Sequence, residues 1–207
     1  VIKRLKNITN NIIVVDDGST DNTAKVAELA GAEVFKNRQN RGPGYATRRG
    51  LLIAYKRSAD LTVTMDSDGQ HLPEELPRIL SKAQEGYDVV FSYREYDKSK
   101  MPWIRRILNL GTNLIVKTIT GKKLKDPLCG FRAFSRKAIE QLELYHDGHP
   151  FVPGVAINTM LLGLPYAEVP ITCVYNEKPA IYKPSDFFKA FTVYLHYLWV
   201  SRSRVMP

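Results

Sequence analysis

The fold is decided by residues 12–21, which have the sequence IIVVDDGSTD, and by residues 61–70, which have the sequence LTVTMDSDGQ. Each stretch begins with apolar and β-branched residues, as in a strand buried on both faces of a parallel sheet, and ends in acidic residues. Ligands of open α/β sheets bind beyond the carboxyl ends of the strands. Two acidic clusters at such ends of neighbouring strands therefore predict one binding site.

Strands and helices alternate along the rest of the chain. The predicted strands are 12–15, 33–36, 61–65, 88–92, 131–134 and 168–175. The predicted helices are 23–30, 44–57, 77–84, 102–120, 136–144 and 155–162, and an irregular turn at Pro73 precedes the third. This alternation predicts an α/β fold with right-handed crossovers, without internal repeats or a linker that divides the chain.

The composition is that of one large globular domain, because the chain has 207 residues of which 44% are hydrophobic. Its 30 Lys and Arg against 21 Asp and Glu give a net charge of +9, which attracts phosphate groups on nucleic acid, membranes or small substrates. The only two cysteines, Cys129 and Cys173, have no CxxC spacing and fit a reducing, cytosolic setting. Residues 1–8 resemble the end of an amphipathic helix and not a signal peptide.

The second acidic stretch predicts a metal site. Asp66 and Asp68 stand two residues apart at a strand end, so both carboxylates can reach one hard cation, and Gln70 adds a neutral oxygen. Oxygen ligands suit Mg²⁺ or Mn²⁺, which keep positions open for phosphate oxygens, whereas zinc favours His or Cys. The alternative is a solvated acidic turn before the next helix. The other acidic cluster favours a metal-bound diphosphate.

The first acidic stretch predicts a nucleotide contact. We expect Asp16 to be structural and Ser19 or Asp21 to cap helix 23–30. That division of roles leaves Asp17 free to accept hydrogen bonds from a base or a ribose hydroxyl. The alternative is that the whole cluster serves as an Asx turn and helix cap.

Several motifs recur together in the order and spacing of one enzyme family. They are 14–21 (VVDDGSTD), 41–50 (RGPGYATRRG), 65–71 (MDSDGQH), 92–94 (SYR), 102–106 (PWIRR) and 125–131 (KDPLCGF). Over about residues 12–175 the chain resembles the second family of inverting glycosyltransferases, which have the Rossmann-like GT-A fold. Within that family it is most similar to the polyprenyl-phosphate sugar synthases, the group that includes dolichol-phosphate mannose synthase.

The resemblance implies a donor site. Asp17 would contact the nucleotide, while Asp66, Asp68 and Gln70 would hold Mn²⁺ or Mg²⁺ on the diphosphate of a GDP- or UDP-sugar. GDP-mannose is the expected donor, with UDP-glucose or UDP-N-acetylglucosamine as alternatives. Two departures affect this site: the family's first strand is missing before the start of the chain, and the family's basic loop after the last strand is represented only around Lys178, a candidate phosphate contact.

The resemblance also implies a polyprenyl phosphate acceptor, whose phosphate Arg94, Arg105 and Asn109 would bind. Guanidinium groups suit this task because they hold phosphate by paired hydrogen bonds and lower its repulsion from the donor. We expect in-line displacement with inversion, the metal stabilising the leaving diphosphate. An ionised acceptor needs no general base; a sugar hydroxyl would need one, and Asp126 is the first candidate.

Two apolar segments, 102–120 and 187–200, predict contact with a membrane surface. The second contains Lys189 and His196 and is shorter than the roughly 20 residues of a spanning helix. We expect a catalytic domain over 1–180 and a juxtamembrane amphipathic helix over 181–207, at the cytoplasmic face of the cell membrane. The alternative is that these apolar faces pack within the protein or against a second copy in a homo-oligomer.

Two other functions compete with sugar transfer. A sugar-phosphate nucleotidyltransferase also places metal-binding acids on an α/β sheet, but the glycine- and lysine-rich nucleotide loop of such enzymes is not evident. A basic module that binds membranes or nucleic acid explains the charge and leaves Asp66, Asp68 and Gln70 without a purpose. Nucleic acid is therefore not an expected partner.

Overall fold

The structure, a computed structural model, describes residues 1–95, 103–144, 147–148, 150–174, 192 and 194–198, and of residues 103–105 the backbone only. The strands are β1 (Ile13–Asp16), β2 (Glu33–Lys36), β3 (Leu61–Thr64), β4 (Val89–Glu95), β5 (Arg132–Ser135) and β6 (Tyr166–Thr172). The helices are α1 (Ile2–Leu5), α2 (Thr23–Leu29), α3 (Pro43–Lys56), α4 (Leu76–Gln84), α5 (Trp103–Thr120), α6 (Arg136–Gln141) and α7 (Phe151–Leu161). A 3₁₀ turn, Pro73–Glu75, precedes α4, which confirms the predicted irregular entry.

The strands of the described chain form two sheets. β1 and β2 pair in parallel, and the other sheet has the order β3-β5-β4-β6. β5 runs antiparallel to both β3 and β4, whereas β4 and β6 are parallel. The α/β class is confirmed, but the expectation that both acidic clusters follow neighbouring strands of one sheet is wrong. Apolar runs indicate that a segment is a strand and do not reveal its neighbours or its direction.

β4 is the centre of the hydrophobic core. It pairs with β5 on one side and β6 on the other, and Val89, Val90 and Phe91 are at most 1% exposed. Val89 and Phe91 pack with residues of α5, α6 and α7, while Val90 points to the opposite face and packs with residues of α4. This alternation follows from the period of two along a strand, and it gives the larger sheet helices on both faces.

A cavity of about 1240 Å³ separates the two sheets. Within the part of the chain that the structure describes, β1 pairs with β2 alone and β3 with β5 alone. Each therefore has one edge that no described strand covers, and residues of both strands line the cavity. Ile13, Val14 and Val15 are consequently half-buried, which corrects the expectation of a strand buried on both faces. Asp66, Asp68 and Gln70 lie on the wall of the same cavity.

α5 has one buried face and one exposed apolar face. Val116 and Ile119 belong to the core, whereas Ile107, Leu110 and Leu114 are 58%, 71% and 66% exposed. Three exposed apolar residues at spacings of three and four lie on one side of a helix. None of the described helices combines the length and apolarity that crossing a membrane requires.

Part of the predicted C-terminal helix contacts the core. Residues 194–198 are helical, and Tyr197 is 1% exposed within the core cluster that contains Val116 and Phe151. Burial raises the pKa of the Tyr197 hydroxyl. This packing agrees with the alternative considered for the segment, although Leu195 remains 48% exposed. The proposed boundary at residues 180 and 181 lies outside the described residues.

Candidate active site

The acidic turn after β3 is held by a contact with the rest of the protein at its start, and its Asp66 side chain is exposed to solvent. The Thr64 hydroxyl at the end of β3 donates to the Gly130 carbonyl at 2.8 Å. Two residues later, the Asp66 side chain is 61% exposed. The Gln70 backbone N–H donates to Asp68 Oδ1 at 2.9 Å, which closes the turn. The Asp68 carboxylate is therefore held by a contact within the turn, and both Asp66 and Asp68 line the cavity.

His71 supports this turn from inside the protein. It is 3% exposed, its ring stacks on Phe131 with centroids 5.4 Å apart, and its Nδ1 lies 3.8 Å from Asp66 Oδ2. The Asp66 backbone N–H lies 3.4 Å from the same nitrogen. Burial lowers the pKa of His71, although the Asp66 carboxylate acts in the opposite direction. The sequence analysis assigned no role to His71, because its burial depends on β5 and not on local sequence.

The oxygen atoms around the acidic turn fit a hard divalent cation. A Cβ at Gly130 would lie 3.1 Å from Asp66 Oδ2 and 3.2 Å from Oδ1, so a larger residue there would require the carboxylate to shift by a few tenths of an ångström. Among the described residues no three His, Cys, Asp or Glu side chains converge as a metal site. Two carboxylates and the Gln70 amide therefore suit Mg²⁺ or Mn²⁺ only where oxygens of a ligand such as a diphosphate complete the coordination.

Asp17 is occupied by backbone and side-chain donors, which corrects the expectation that it is free. Its carboxylate accepts from Asn37 Nδ2 at 2.7 Å, the Arg41 N–H at 3.1 Å and the Gly42 N–H at 2.6 Å. Gly42 adopts φ +94, a conformation that L side chains rarely adopt. Asp17 thus anchors loop 37–42 beside the cavity, and a contact with the nucleotide stays a prediction.

Asp16 has the structural role that was expected, whereas the N-cap of α2 is Asn22 and neither Ser19 nor Asp21 occupies that position. Asp16 is 3% exposed and accepts from the Ser19 N–H at 3.0 Å. Asp21 accepts from the Thr23 N–H at 3.0 Å, at the first residue of α2. These short-range contacts follow from the Asx-turn chemistry of the sequence itself.

Arg94 forms a bidentate ion pair with Asp126. Arg94 Nε lies 2.6 Å from Asp126 Oδ2, and Arg94 Nη2 lies 3.0 Å from Oδ1. Asn109 Nδ2 donates to the same Oδ1 at 3.4 Å, so this carboxylate joins two of the residues predicted to bind the acceptor phosphate. Arg94 lines the cavity. The remaining predicted phosphate contacts are less defined: only the backbone of Arg105 is described, and Lys178 lies outside the described residues.

A second arginine of the cavity, Arg132, was missed by the sequence analysis. It is 2% exposed, and its guanidinium donates to the carbonyls of Cys129, Pro127 and Val152 at 2.8, 2.8 and 2.5 Å. Burial lowers its pKa to about 10, which leaves it charged at neutral pH. Arg132 is the first residue of β5 and directly follows the motif at 125–131. Nothing in the sequence around it distinguishes a buried arginine from an exposed one.

Comparison with known proteins identifies the family of this chain. The sequence model of a family described as Glycosyl transferase family 2 matches residues 1–143, more than half of the chain. The chain belongs to glycosyl transferase family 2. The predicted family is therefore confirmed, and the match extends across both acidic clusters, Arg94 and Asp126.

Two similar proteins have names that describe sugar transfer to a polyprenyl phosphate. The undecaprenyl-phosphate 4-deoxy-4-formamido-L-arabinose transferase of Serratia proteamaculans is 36% identical over 150 residues, which are 70% of this chain and 45% of that protein. This chain thus spans less than half the length of that relative. The UDP-N-acetylglucosamine-dolichyl-phosphate N-acetylglucosaminyltransferase of Methanococcus voltae is 28% identical across 99% of this chain and 93% of that protein.

A solved structure confirms the GT-A fold that the family 2 sequence implies. It is glucosyl-3-phosphoglycerate synthase from Mycobacterium tuberculosis in complex with Mn²⁺ and UDP-glucose. The two structures superpose with a TM-score of 0.72 at 23% identity, covering 100% of this chain and 74% of that chain. At this identity the superposition establishes the fold alone.

Proposed function

We propose that this chain is the catalytic part of an enzyme that transfers a sugar from a nucleoside diphosphate sugar to a polyprenyl phosphate. The observation that carries the proposal is a cavity whose lining includes the carboxylates of Asp66 and Asp68 together with the guanidinium group of Arg94. The acids suit a cation that holds a diphosphate, and the guanidinium group suits a second phosphate.

In this reaction the residues of the site bind and orient two anionic substrates. Asp66, Asp68 and Gln70 would hold Mg²⁺ or Mn²⁺, which when bound stabilises the charge that develops on the leaving diphosphate. Arg94 binds the acceptor phosphate and screens its repulsion from the donor. The acceptor oxygen attacks the anomeric carbon as the bond to the diphosphate breaks, so the sugar is transferred with inversion. No base is required, because the acceptor is already ionised.

The donor is the less constrained part of the proposal. The motif resemblance favours GDP-mannose, as in dolichol-phosphate mannose synthase. The Methanococcus relative carries the name of an enzyme that uses UDP-N-acetylglucosamine, and the Mycobacterium structure contains UDP-glucose. We therefore rank GDP-mannose together with these two UDP-sugars as donors.

The test is a matrix of donors and acceptors. The chain is incubated with Mn²⁺, undecaprenyl or dolichyl phosphate and GDP-mannose, UDP-glucose or UDP-N-acetylglucosamine, and the glycolipid is detected by mass spectrometry. We expect one donor to give a product of inverted anomeric configuration, with loss of product on addition of EDTA. Formation of a sugar nucleotide from a nucleoside triphosphate would instead support a nucleotidyltransferase.

We also propose that α5 brings the enzyme to the cytoplasmic face of the membrane. A polyprenyl chain cannot leave the bilayer at acceptable cost, since exposing it costs about 0.8 kcal/mol per CH₂. The exposed stripe of Ile107, Leu110 and Leu114 offers an apolar contact surface. The exposed Lys117 and the lysine pair at 122–123 follow at its carboxyl end, where they would meet anionic headgroups.

A further inference from the structure

We propose that Asp126 is a positioning residue that holds Arg94 in place for the acceptor phosphate, with Asn109 as its support. The inference rests on the proposed transfer to a polyprenyl phosphate. It assigns Asp126 a task other than the general base that a hydroxyl acceptor would require.

The three residues come from different parts of the chain and meet at one carboxylate. Arg94 is near the end of β4, Asn109 is on α5, and Asp126 is in the loop before β5. Besides its bidentate contact with Arg94, Asp126 accepts from the Leu128 backbone N–H at 3.2 Å. Each carboxylate oxygen is therefore engaged by donors from the protein.

Burial makes this ion pair stronger as a restraint than a surface pair. The Arg94 and Asp126 side chains are 11% and 1% exposed. A pair at that depth is little screened by solvent, and two parallel hydrogen bonds fix the plane of the guanidinium as well as its position. Removal of one partner of a buried pair takes away the main restraint on the other charge.

Of the three residues, Arg94 faces the cavity and Asp126 and Asn109 do not. Arg94, Leu108 and Leu128 are among the residues that line the cavity, while Asp126 and Asn109 are not. A general base must come within hydrogen-bond distance of the proton that it removes. Asp126 is 2% exposed and lies behind this wall, so its geometry fits orientation of Arg94 and not proton abstraction.

The test compares Asp126→Asn with a matched control, Asp88→Asn. Asp88 is also a buried carboxylate, paired with Lys137 at 2.7 Å and Ser135 at 2.8 Å, but it precedes the opposite end of β4 and lies away from the cavity. The first readout is the ¹⁵Nε–¹H NMR signal of Arg94. We expect it to be protected from solvent exchange in the wild type and in Asp88→Asn, and to lose that protection in Asp126→Asn.

The second readout is the kinetics of the full chain with its best donor. In Asp126→Asn we expect the KM for polyprenyl phosphate to rise by about tenfold to a hundredfold, the effect of losing a hydrogen bond to a charged group. The kcat at saturating acceptor and the Kd for the nucleoside diphosphate with Mn²⁺ should change little. Asp126→Glu, which restores the carboxylate, should recover part of the acceptor affinity.

Three results would overturn the inference. Rapid solvent exchange of the Arg94 Nε–H in the wild type would show that Asp126 does not restrain Arg94. This result does not depend on whether the variant folds. A loss of kcat in Asp126→Asn at unchanged acceptor KM would indicate a base. If the wild type transfers no sugar from any donor, the proposed function fails and the acceptor role with it, while the NMR signal still decides whether Asp126 holds Arg94.

Discussion

Asp66 and Asp68 differ in how the protein holds them, although one residue separates them in sequence. Asp66 has Gly130 behind its carboxylate and His71 beside it. Asp68 is exposed, and its described contact is with the Gln70 N–H of the same turn. Asp66 is thus fixed by the core, whereas Asp68 depends on the short turn 68–70. Substitution of Asp68 should consequently leave the fold intact.

We predict that Asp68→Ala removes metal-dependent sugar transfer, by about a hundredfold or more in kcat/KM, because it deletes a cation ligand at an exposed position. Thermal unfolding should be unchanged within about 0.5 kcal/mol, as for other surface substitutions. The matched control is Asp60→Ala, an acid that precedes β3 at the other end of the cavity. Undiminished transfer by Asp68→Ala at saturating Mn²⁺ would refute its role as a ligand.

Cys129 gives a chemical reporter of the loop that carries Asp126. It is 1% exposed, and burial raises its pKa to about 12, so it is a thiol without nucleophilic thiolate at pH 8. We predict that iodoacetamide modifies Cys173, which is partly exposed, and spares Cys129 until denaturant is added. Peptide mass spectrometry distinguishes the two. Modification of Cys129 in the folded protein would mean that loop 126–130 opens.

At the scale of elements, one carboxylate contacts several residues of loop 37–42. Asp17 accepts from three residues of this loop, so Asp17→Ala should release it. We predict weaker binding of the nucleoside diphosphate, measured by calorimetry, with the order of preference among divalent cations unchanged. Asp21→Ala, which removes hydrogen bonds to Thr23 at the start of α2 and none to loop 37–42, serves as the control. Equal nucleotide affinity in Asp17→Ala and the wild type would exclude a role for this loop in donor binding.

α5 allows its two apolar faces to be tested separately. Changing the exposed Ile107, Leu110 and Leu114 to Ser should abolish sedimentation with phosphatidylglycerol vesicles while nucleotide binding and thermal stability are retained. Leu108 is left unchanged because it lines the cavity. The substitutions should also preserve the oligomeric state, measured by light scattering.

The buried face of α5 provides the control. Val116→Ser creates a cavity and an unsatisfied hydroxyl in the core, so it should lower the unfolding temperature and affect vesicle binding only through loss of fold. If the exposed-face variant instead unfolds or dissociates, and the wild type ignores vesicles, the stripe is a protein contact and the membrane proposal for α5 is wrong.

For the whole molecule, the sequence predicted the features that depend on interactions between residues close together in the chain. The strands before the acidic clusters, the structural role of Asp16 and the turn at Asp68 depend on residues close in sequence. The antiparallel insertion of β5 does not, because strand pairing joins residues about 70 apart, such as Thr64 and Arg132. The burial of His71 and Arg132 and the pairing of Arg94 with Asp126 depend on that insertion. The periodicity of apolar residues does not indicate which distant strands or side chains will pair.

The edges of β1 and β3 that no described strand covers predict an uneven pattern of amide hydrogen exchange. β4 is paired on both sides, whereas β1 and β3 each have an edge on the cavity. We expect the cavity-side amides of β1 and β3 to exchange about a hundredfold faster or more than those of β4, because their opening requires no strand separation.

Addition of a nucleoside diphosphate and Mn²⁺ should then slow exchange at one end of the cavity only. Asp17 and Asp66 lie one and two residues beyond the carboxyl ends of β1 and β3, so amides near them should gain protection on binding. Amides near Asn11 and Asp60, at the amino ends of the same strands, should not. Because both ends belong to one cavity, each serves as the control for the other. Protection that appears at the amino ends alone would place the ligand away from the acidic turn and contradict the proposed donor site.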